Sequence, residues 1–514
     1  MTRHTSPSRC LPRQCLPRHC LPRHCFPRCL LAMALAFSIS SSAMAGPSIA
    51  LVDSPTHHST ESLARRALAA HKDESSNAKA ESAKAIAELR SIGPAGLRAF
   101  LEANRVEIEV ALKTPNNAGN GDAFSGGLRN GDASAGGLRP GDSRDLAKSA
   151  QDNQVAQDNQ VLSALDSICQ QKDCYASRLY WYTDLEQAKA AARAQGKPIL
   201  SLRLLGRLDE DLSCANSRLF RITLYANEQV SKFLRERFVL HWQSVRPVPK
   251  LTIDFGDGRK MERTLTGNSI HYVLDSEGRL IDALPGLYGP GAFLRELERT
   301  ASAAANLTPF RTDEERNAVL SRYHRSLLSE LENSWLDDVK RAGLPAAPSR
   351  EIPIPASAGG PPPTAQRAAP AAIAKAATVE RPILRGMSEN PKLLDSIASD
   401  AGWSMIARLH AQDATLDQAT RALMSFKDPS LTRGSLQVAA ISLERAVAED
   451  TVRNEYVYRA RIHRWLASSA VSSDVASLNE KIYAELFLTP SWDAWLGLRP
   501  AGAYSGIDND GVRR

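Results

Sequence analysis

The sequence predicts a central α/β domain, a mixed sheet with helices on both faces, flanked by mainly α-helical segments and flexible linkers. Three observations predict it. Residues 163–304 alternate helical patterns with short apolar runs, the order of a small sheet covered on both sides. The flanking regions repeat apolar residues mostly at three- and four-residue spacing. Stretches rich in Gly, Asn and Asp, or in Pro and Ala, separate these parts.

At 514 residues the chain is too long for one ordinary core, and length alone suggests about three domains. Residues 1–45 hold six arginines and no acids, then "LLAMALAF", a serine patch and "AMA" before Gly46. That is the order of a secretory signal, so a periplasmic or secreted location is expected. The apolar run is short and its second half serine-rich, so no membrane association is expected after cleavage. The chain has 64 basic and 57 acidic residues; without the six signal arginines 58 basic residues remain, so the mature part is nearly neutral. The high isoelectric point belongs to the signal and gives no reason to expect nucleic-acid binding. Cys10, Cys15, Cys20, Cys25 and Cys29 leave with that segment, and their spacing matches no common zinc site. Cys169, Cys174 and Cys214 remain for an oxidising compartment.

A helical segment is expected over 46–113, where "AKAIAELRSIGPAGLRAFLEA" has a Gly-Pro break. A flexible linker follows over 114–162, with "GDAFSGGLRN" nearly repeated and "AQDNQV" duplicated; it lacks the nonapeptide calcium pattern. In the central domain, Thr183 and Glu186 have capping-box spacing, opening a helix that Gly196 and Pro198 close. "ILSLRLL" reads as a buried strand, a helix runs from Cys214 to about Glu236, and "FVLHW" is a second strand. Asp257-Gly258 marks a hairpin, "SIHYVLD" and "RLIDAL" pair across "SEG", and "PGAFLRELERTASAA" is a closing helix. Thr312 and Glu315 open a helical extension over 305–343 with Val319, Leu320, Tyr323, Leu327, Leu331 and Trp335 on one face. A Pro/Ala-rich linker is expected over 344–388 and a helical C-terminal domain over 389–514.

Trp181, Ala188, Lys197, Pro198 and Ile199, followed by "CANSRLFRITLYANEQV", give the central region its resemblance. It resembles the thioredoxin-like superfamily, closest to domains of the spermatogenesis-associated thioredoxin-like type. The resemblance implies an active-site helix beginning at Cys214, with Ser217 at the position of the family's second, resolving cysteine. It also implies a loop facing that site at Asn268 and Ser269, where the family places a cis-proline. Ser213 stands where an aromatic residue is usual.

A cysteine at a helix start feels unpaired N–H groups that favour thiolate. Ser217, one turn on, could donate a hydrogen bond to it. Cys214 could then form a mixed disulfide that Ser217 cannot resolve. Read as an ordinary free cysteine, it is a buried apolar residue. Cys169 and Cys174 are candidates for a local disulfide. No cofactor and no metal is expected; His241 and His271 lie on predicted strands, and Asp254 and Asp257 belong to a turn. Asp450, Glu455 and His463 read as a solvated helical face. Trp492 and Trp495 read as a chain end packed on its own domain. The leading functional expectation is a non-catalytic or weakly redox-active module that contacts other exported proteins. The alternatives are a monothiol exchange enzyme using Cys214, and a scaffold acting through its helical C-terminal domain.

Overall fold

The computed structural model describes residues 57–68, 75–113, 159–350 except 266, 308 and 311, 401–468 and 474–496, with 506, 507 and 512. The expected signal, the duplicated part of the first linker to 158 and the Pro/Ala-rich stretch over 351–388 lie outside the described residues. Those described belong to one compact unit, Pro55–Arg514.

The fold is mixed α/β. A five-stranded sheet has the order β1-β3-β2-β6-β7, with β1 Trp181–Tyr182, β2 Ile199–Leu205, β3 Val239–Arg246, β6 Ser269–Leu274 and β7 Leu280–Pro285. β1 and β2 each pair parallel to β3, β2 pairs antiparallel to β6, and β6 antiparallel to β7. β2 lies at the centre and every one of its residues is buried. This explains its near-continuous apolar run, because a strand covered on both faces has no solvent side to alternate toward. The hairpin at Asp257-Gly258 forms a separate two-stranded sheet, β4 Lys250–Asp254 with β5 Lys260–Thr264.

Ahead of the sheet, helices α1 His57–Arg66, α2 Ser76–Ser91, α3 Pro94–Ala103 and α4 Arg105–Ala111 are followed by α5 over 159–169 and a short α6 Cys174–Ser177. Residues 159–162, expected in the linker, are helical because Val161 and Leu162 are buried, Val161 against the N-terminal helices. Helix α7, Leu185–Gln195, connects β1 to β2. Its cap is Asp184, accepting from Gln187 N at 2.8 Å, and not Thr183. The carboxylate one residue on takes the N-terminal N–H, and Gly196 at φ 62 closes the helix.

After β2 the helix expected from Cys214 to about Glu236 is broken into three parts. Helix α8, Ala215–Leu219, widens into a π-helical turn, Phe220–Tyr225, and α9, Glu228–Arg237, restarts at Asn227. The restart has a local cause: the Asn227 side chain accepts from Val230 N at 3.0 Å. Helix α10, Pro290–Leu307, is followed by α11, Asp313–Arg341, with both bonds of the Thr312/Glu315 capping box formed. Arg350, expected in a linker, is pinned instead: its guanidinium pairs twice with Glu332 at 2.7 and 3.0 Å and lies over Trp335.

The C-terminal helices are α12 Ala401–Leu409, α13 Gln418–Lys427, α14 Arg433–Arg453, a second π-helical turn Asn454–Arg459, α15 Ala460–Ala467 and α16 Val475–Glu485. They are not a separate unit. Trp403, Val447, Ile462 and Ile482 share one core with Leu202, Tyr272 and Phe293. At Gly289 a Cβ would fall 2.3 Å from the Asp413 carbonyl oxygen, so two backbones touch where no side chain fits. Among the described residues no helix is long and apolar enough to cross a membrane.

Two consequences are measurable. A chain ending at residue 388 exposes Trp335 and the inner face of α10, and should lose its cooperative unfolding transition by circular dichroism. Burial also holds His241 and His271 neutral, down to about 3 in each case. The unfolded chain takes up those protons below about 6.5, so stability should fall as pH drops from about 6.5 toward 3. His271→Gln should flatten that slope by up to ~1.4 kcal/mol per pH unit in denaturant titrations.

Candidate functional site

Cys214 caps the short helix α8, and its N–H is bonded to Leu205 O at 3.2 Å, at the end of β2. The residue is fully buried. Its thiol donates to Ser217 Oγ at 3.4 Å, while Ser217 donates its own proton to the Cys214 carbonyl at 2.8 Å. The expected donation from Ser217 to the sulfur is therefore not made, because the hydroxyl satisfies the backbone within its own turn. Ser213 is buried, and its carbonyl accepts from Thr264 Oγ1 at 3.1 Å.

The loop holding Asn268 and Ser269 lies beside helix α8, and it is covered. Asn216 Nδ2 donates to Gly267 O. Asn268 spends its amide on Thr489 Oγ1 at 2.7 Å, and its carbonyl accepts from Tyr483 OH at 3.0 Å. Ser269 begins β6 with its side chain buried. Arg246, at the end of β3, holds the cover by donating to Thr489 O and, at 3.0 Å, to Pro490 O. The segment over 483–490 thus lies across the loop that faces the cysteine. Burial first, and then the neighbouring Cys214, keep the phenols of Tyr225 and Tyr483 well above the ordinary tyrosine range.

Cys169 and Cys174 form a disulfide. His241 Nδ1 bonds Ser201 Oγ at 2.8 Å, and His271 Nε2 bonds Tyr225 OH at 2.7 Å beside the Phe220 and Phe293 rings. Asp254 and Asp257 accept from Gly256 N and Arg259 N in the exposed hairpin. Trp492 and Trp495, expected to pack inward, are 38% and 44% exposed. Asp493 between them is buried and accepts from Trp495 N at 2.9 Å, a turn that aims both indoles outward.

The largest departure from expectation lies in the last third of the chain. Asp450 and His463 are buried, and the Glu455 side chain is mostly covered, so these residues are not a solvated face. Glu455 belongs to the second π-helical turn with Arg459, whose guanidinium is almost fully buried. That guanidinium meets Glu296 at 2.6 Å, Glu455 at 2.9 Å and Asp282 at 3.1 Å. Burial opposes its charge, and the three carboxylates more than offset the opposition. Asp282 also accepts from Tyr323 OH at 3.0 Å, Thr300 Oγ1 at 3.3 Å and Ala283 N at 2.7 Å. Burial raises its carboxyl, but Arg459 wins and holds it below the usual range.

His324 and His463 stand beside it with Nδ1 atoms 3.0 Å apart, and His324 also bonds the Ile281 backbone. Burial keeps both rings neutral, so one proton bridges the pair. Asp282, His324 and His463 offer ligand atoms within 4.8 Å of one another. They fit a metal poorly: both carboxylate oxygens are engaged, and Arg459 already supplies the positive charge a cation would bring. Alongside opens a cavity of about 370 Å³ lined by Arg295, Arg299 and Asp338 among others. Its charges are internally paired: Arg295 with Asp413 at 3.0 Å, Arg299 with Glu330 at 3.2 Å, Asp338 with His410 at 2.5 Å. This arrangement stabilises the fold, each of these charges meeting its opposite. The sequence signal for it was weak, because Glu455 and Arg459 at i,i+4 look like an exposed helix pair.

No family model, curated protein or solved structure matches the chain. Arg459→Ala should cost about 3–5 kcal/mol in chemical denaturation, because three buried carboxylates lose their shared cation. Arg464→Ala, on the exposed side of the same helix, should cost less than about 1 kcal/mol.

Proposed function

We propose that the chain is an exported thioredoxin-like protein that works through contacts with other exported proteins and not by thiol exchange. One observation carries the reading: Cys214 has no exposed surface, and the loop facing it is bonded to the chain's own segment 483–490. A thiolate must reach a disulfide in line to exchange with it, and a covered sulfur cannot. The thioredoxin-like part of the reading is supported by the order strand, helix, strand, hairpin, helix, with a cysteine starting the helix that follows the central strand. Export is supported by the Cys169–Cys174 disulfide, since such bonds persist in oxidising compartments.

Alkylation at neutral pH tests the closed site. Cys214 in the folded protein should label about a hundredfold more slowly than in denaturant, read by mass spectrometry, as expected for a buried thiol. Labelling at the rate of a free thiol would replace this reading with monothiol exchange. Tyr483→Phe combined with Thr489→Val removes two bonds of the cover and should speed the labelling without unfolding the sheet.

A further inference from the structure

A second cavity, remote in kind from both Cys214 and the Arg459 network, opens between α3, β1, the start of β3 and the ends of α7 and α9. Its volume is about 480 Å³, in the range of pockets that hold a small organic ligand. The walls are apolar and aromatic: Leu97, Leu101, Tyr180, Tyr182, Phe238 and Leu240. The mouth is cationic, with Arg98, Arg178, Lys197 and Arg235 against the single acid Glu102.

Arg459, Arg295, Arg350 and Arg279 are paired with carboxylates, whereas none of the four cations at the mouth makes an ion pair among the described residues. Two are fixed by neutral acceptors instead. Lys197 Nζ donates to the Arg235 carbonyl at 3.2 Å, and the Arg235 guanidinium donates to the Ser177 carbonyl, next to Arg178. These bonds orient the cations without compensating their charge. Burial first, and then Arg178, push the Arg235 guanidinium below its ordinary value, and Glu236 and Glu228 only partly oppose this.

The backbone at this mouth is also constrained. Arg178 sits in the left-handed region at φ 53, with its N–H bonded to the Cys174 carbonyl at 2.7 Å. Gln170 and Asp173, at φ 54 and 62, take the same conformation in the turn that the Cys169–Cys174 disulfide closes. Non-glycine residues are held there only where surrounding structure over-determines them, a pattern that clusters at ligand clamps.

An uncharged ligand would leave the arginine repulsion in place, and a cation would add to it. A polar anion would leave the apolar walls wet. We propose that this cavity binds a single-chain carboxylate amphiphile, a free fatty acid of medium length, with its chain along Leu97, Leu101 and Phe238 and its head at Arg178 and Arg235. Charge complementarity at the mouth and the apolar walls behind it select this occupant together. The proposal is independent of the reading of Cys214.

Titration calorimetry of the full chain with decanoate tests it, with decanol and decyltrimethylammonium as the neutral and cationic counterparts. Saturable binding of one decanoate per chain is expected, about tenfold or more tighter than decanol, with no binding of the cation. Arg178→Gly, which keeps the left-handed backbone, combined with Arg235→Gln should weaken decanoate by about tenfold or more and leave decanol unchanged. Leu101→Trp should fill the cavity and abolish both. No saturable decanoate binding, equal affinity for decanol, or undiminished binding in the arginine double variant would overturn the proposal. The two arginines are exposed, so the double variant decides even where Leu101→Trp fails to fold.

Discussion

The Arg459 guanidinium is the tie on which the rest of the structure depends. It reaches β7 through Asp282, α10 through Glu296 and its own π-helical turn through Glu455. Through Asp282 the tie extends to Tyr323 of α11, next in sequence to the paired His324, and His463 of α15 completes the cluster. A charge this deep costs several kcal/mol to desolvate and is tolerated only where partners and geometry compensate it. The consequence is specificity of arrangement. The sheet edge and four helical elements can satisfy that cation together in one way, which is why the C-terminal helices share the core of the sheet and do not stand apart from it.

The same packing governs the cysteine. The C-terminal helix α16 and the residues after it reach the facing loop because Asn479 accepts from Tyr272 OH on β6 and Arg246 on β3 grips the segment at Thr489 and Pro490. With Cys214 placed at the end of the central strand, any element packed over that end of the sheet closes it. An open thiol and an integral helical cap compete for one position, and here the cap covers it.

Much of the sheet was legible because its signals are local. The near-continuous apolar run of β2, the Asp257-Gly258 turn and the Thr312/Glu315 box each need only a handful of adjacent residues to act. The first cap was misread by one residue, because Thr183 and Asp184 are both good acceptors and spacing alone does not choose between them. The charged network was illegible for a different reason. Asp282 and Arg459 are separated by most of a domain in sequence, and a buried cation looks the same in one dimension as a solvated one. Likewise the spacing of Cys214 and Ser217 was visible, but not that the hydroxyl proton goes to the backbone. Nor was it visible that residues near the chain end lie over the pair. Such facts depend on which long-range contacts form, and periodicity does not encode them.

The second π-helical turn, Asn454–Arg459, carries a widened loop of backbone inside an otherwise continuous helix, whereas Phe220–Tyr225 ends its helix before α9 restarts. A π turn behaves as one residue inserted into α-helical winding. Loss of a single codon in the second turn would thus let the helix relax to regular geometry while swinging everything downstream by about 100° around its axis. In the second turn that rotation would carry Arg459 away from its anions and the whole of α15 off α11. Length variation in this protein is accordingly least forgiving in the middle of that long helix, where a reader of helical propensity would judge it harmless.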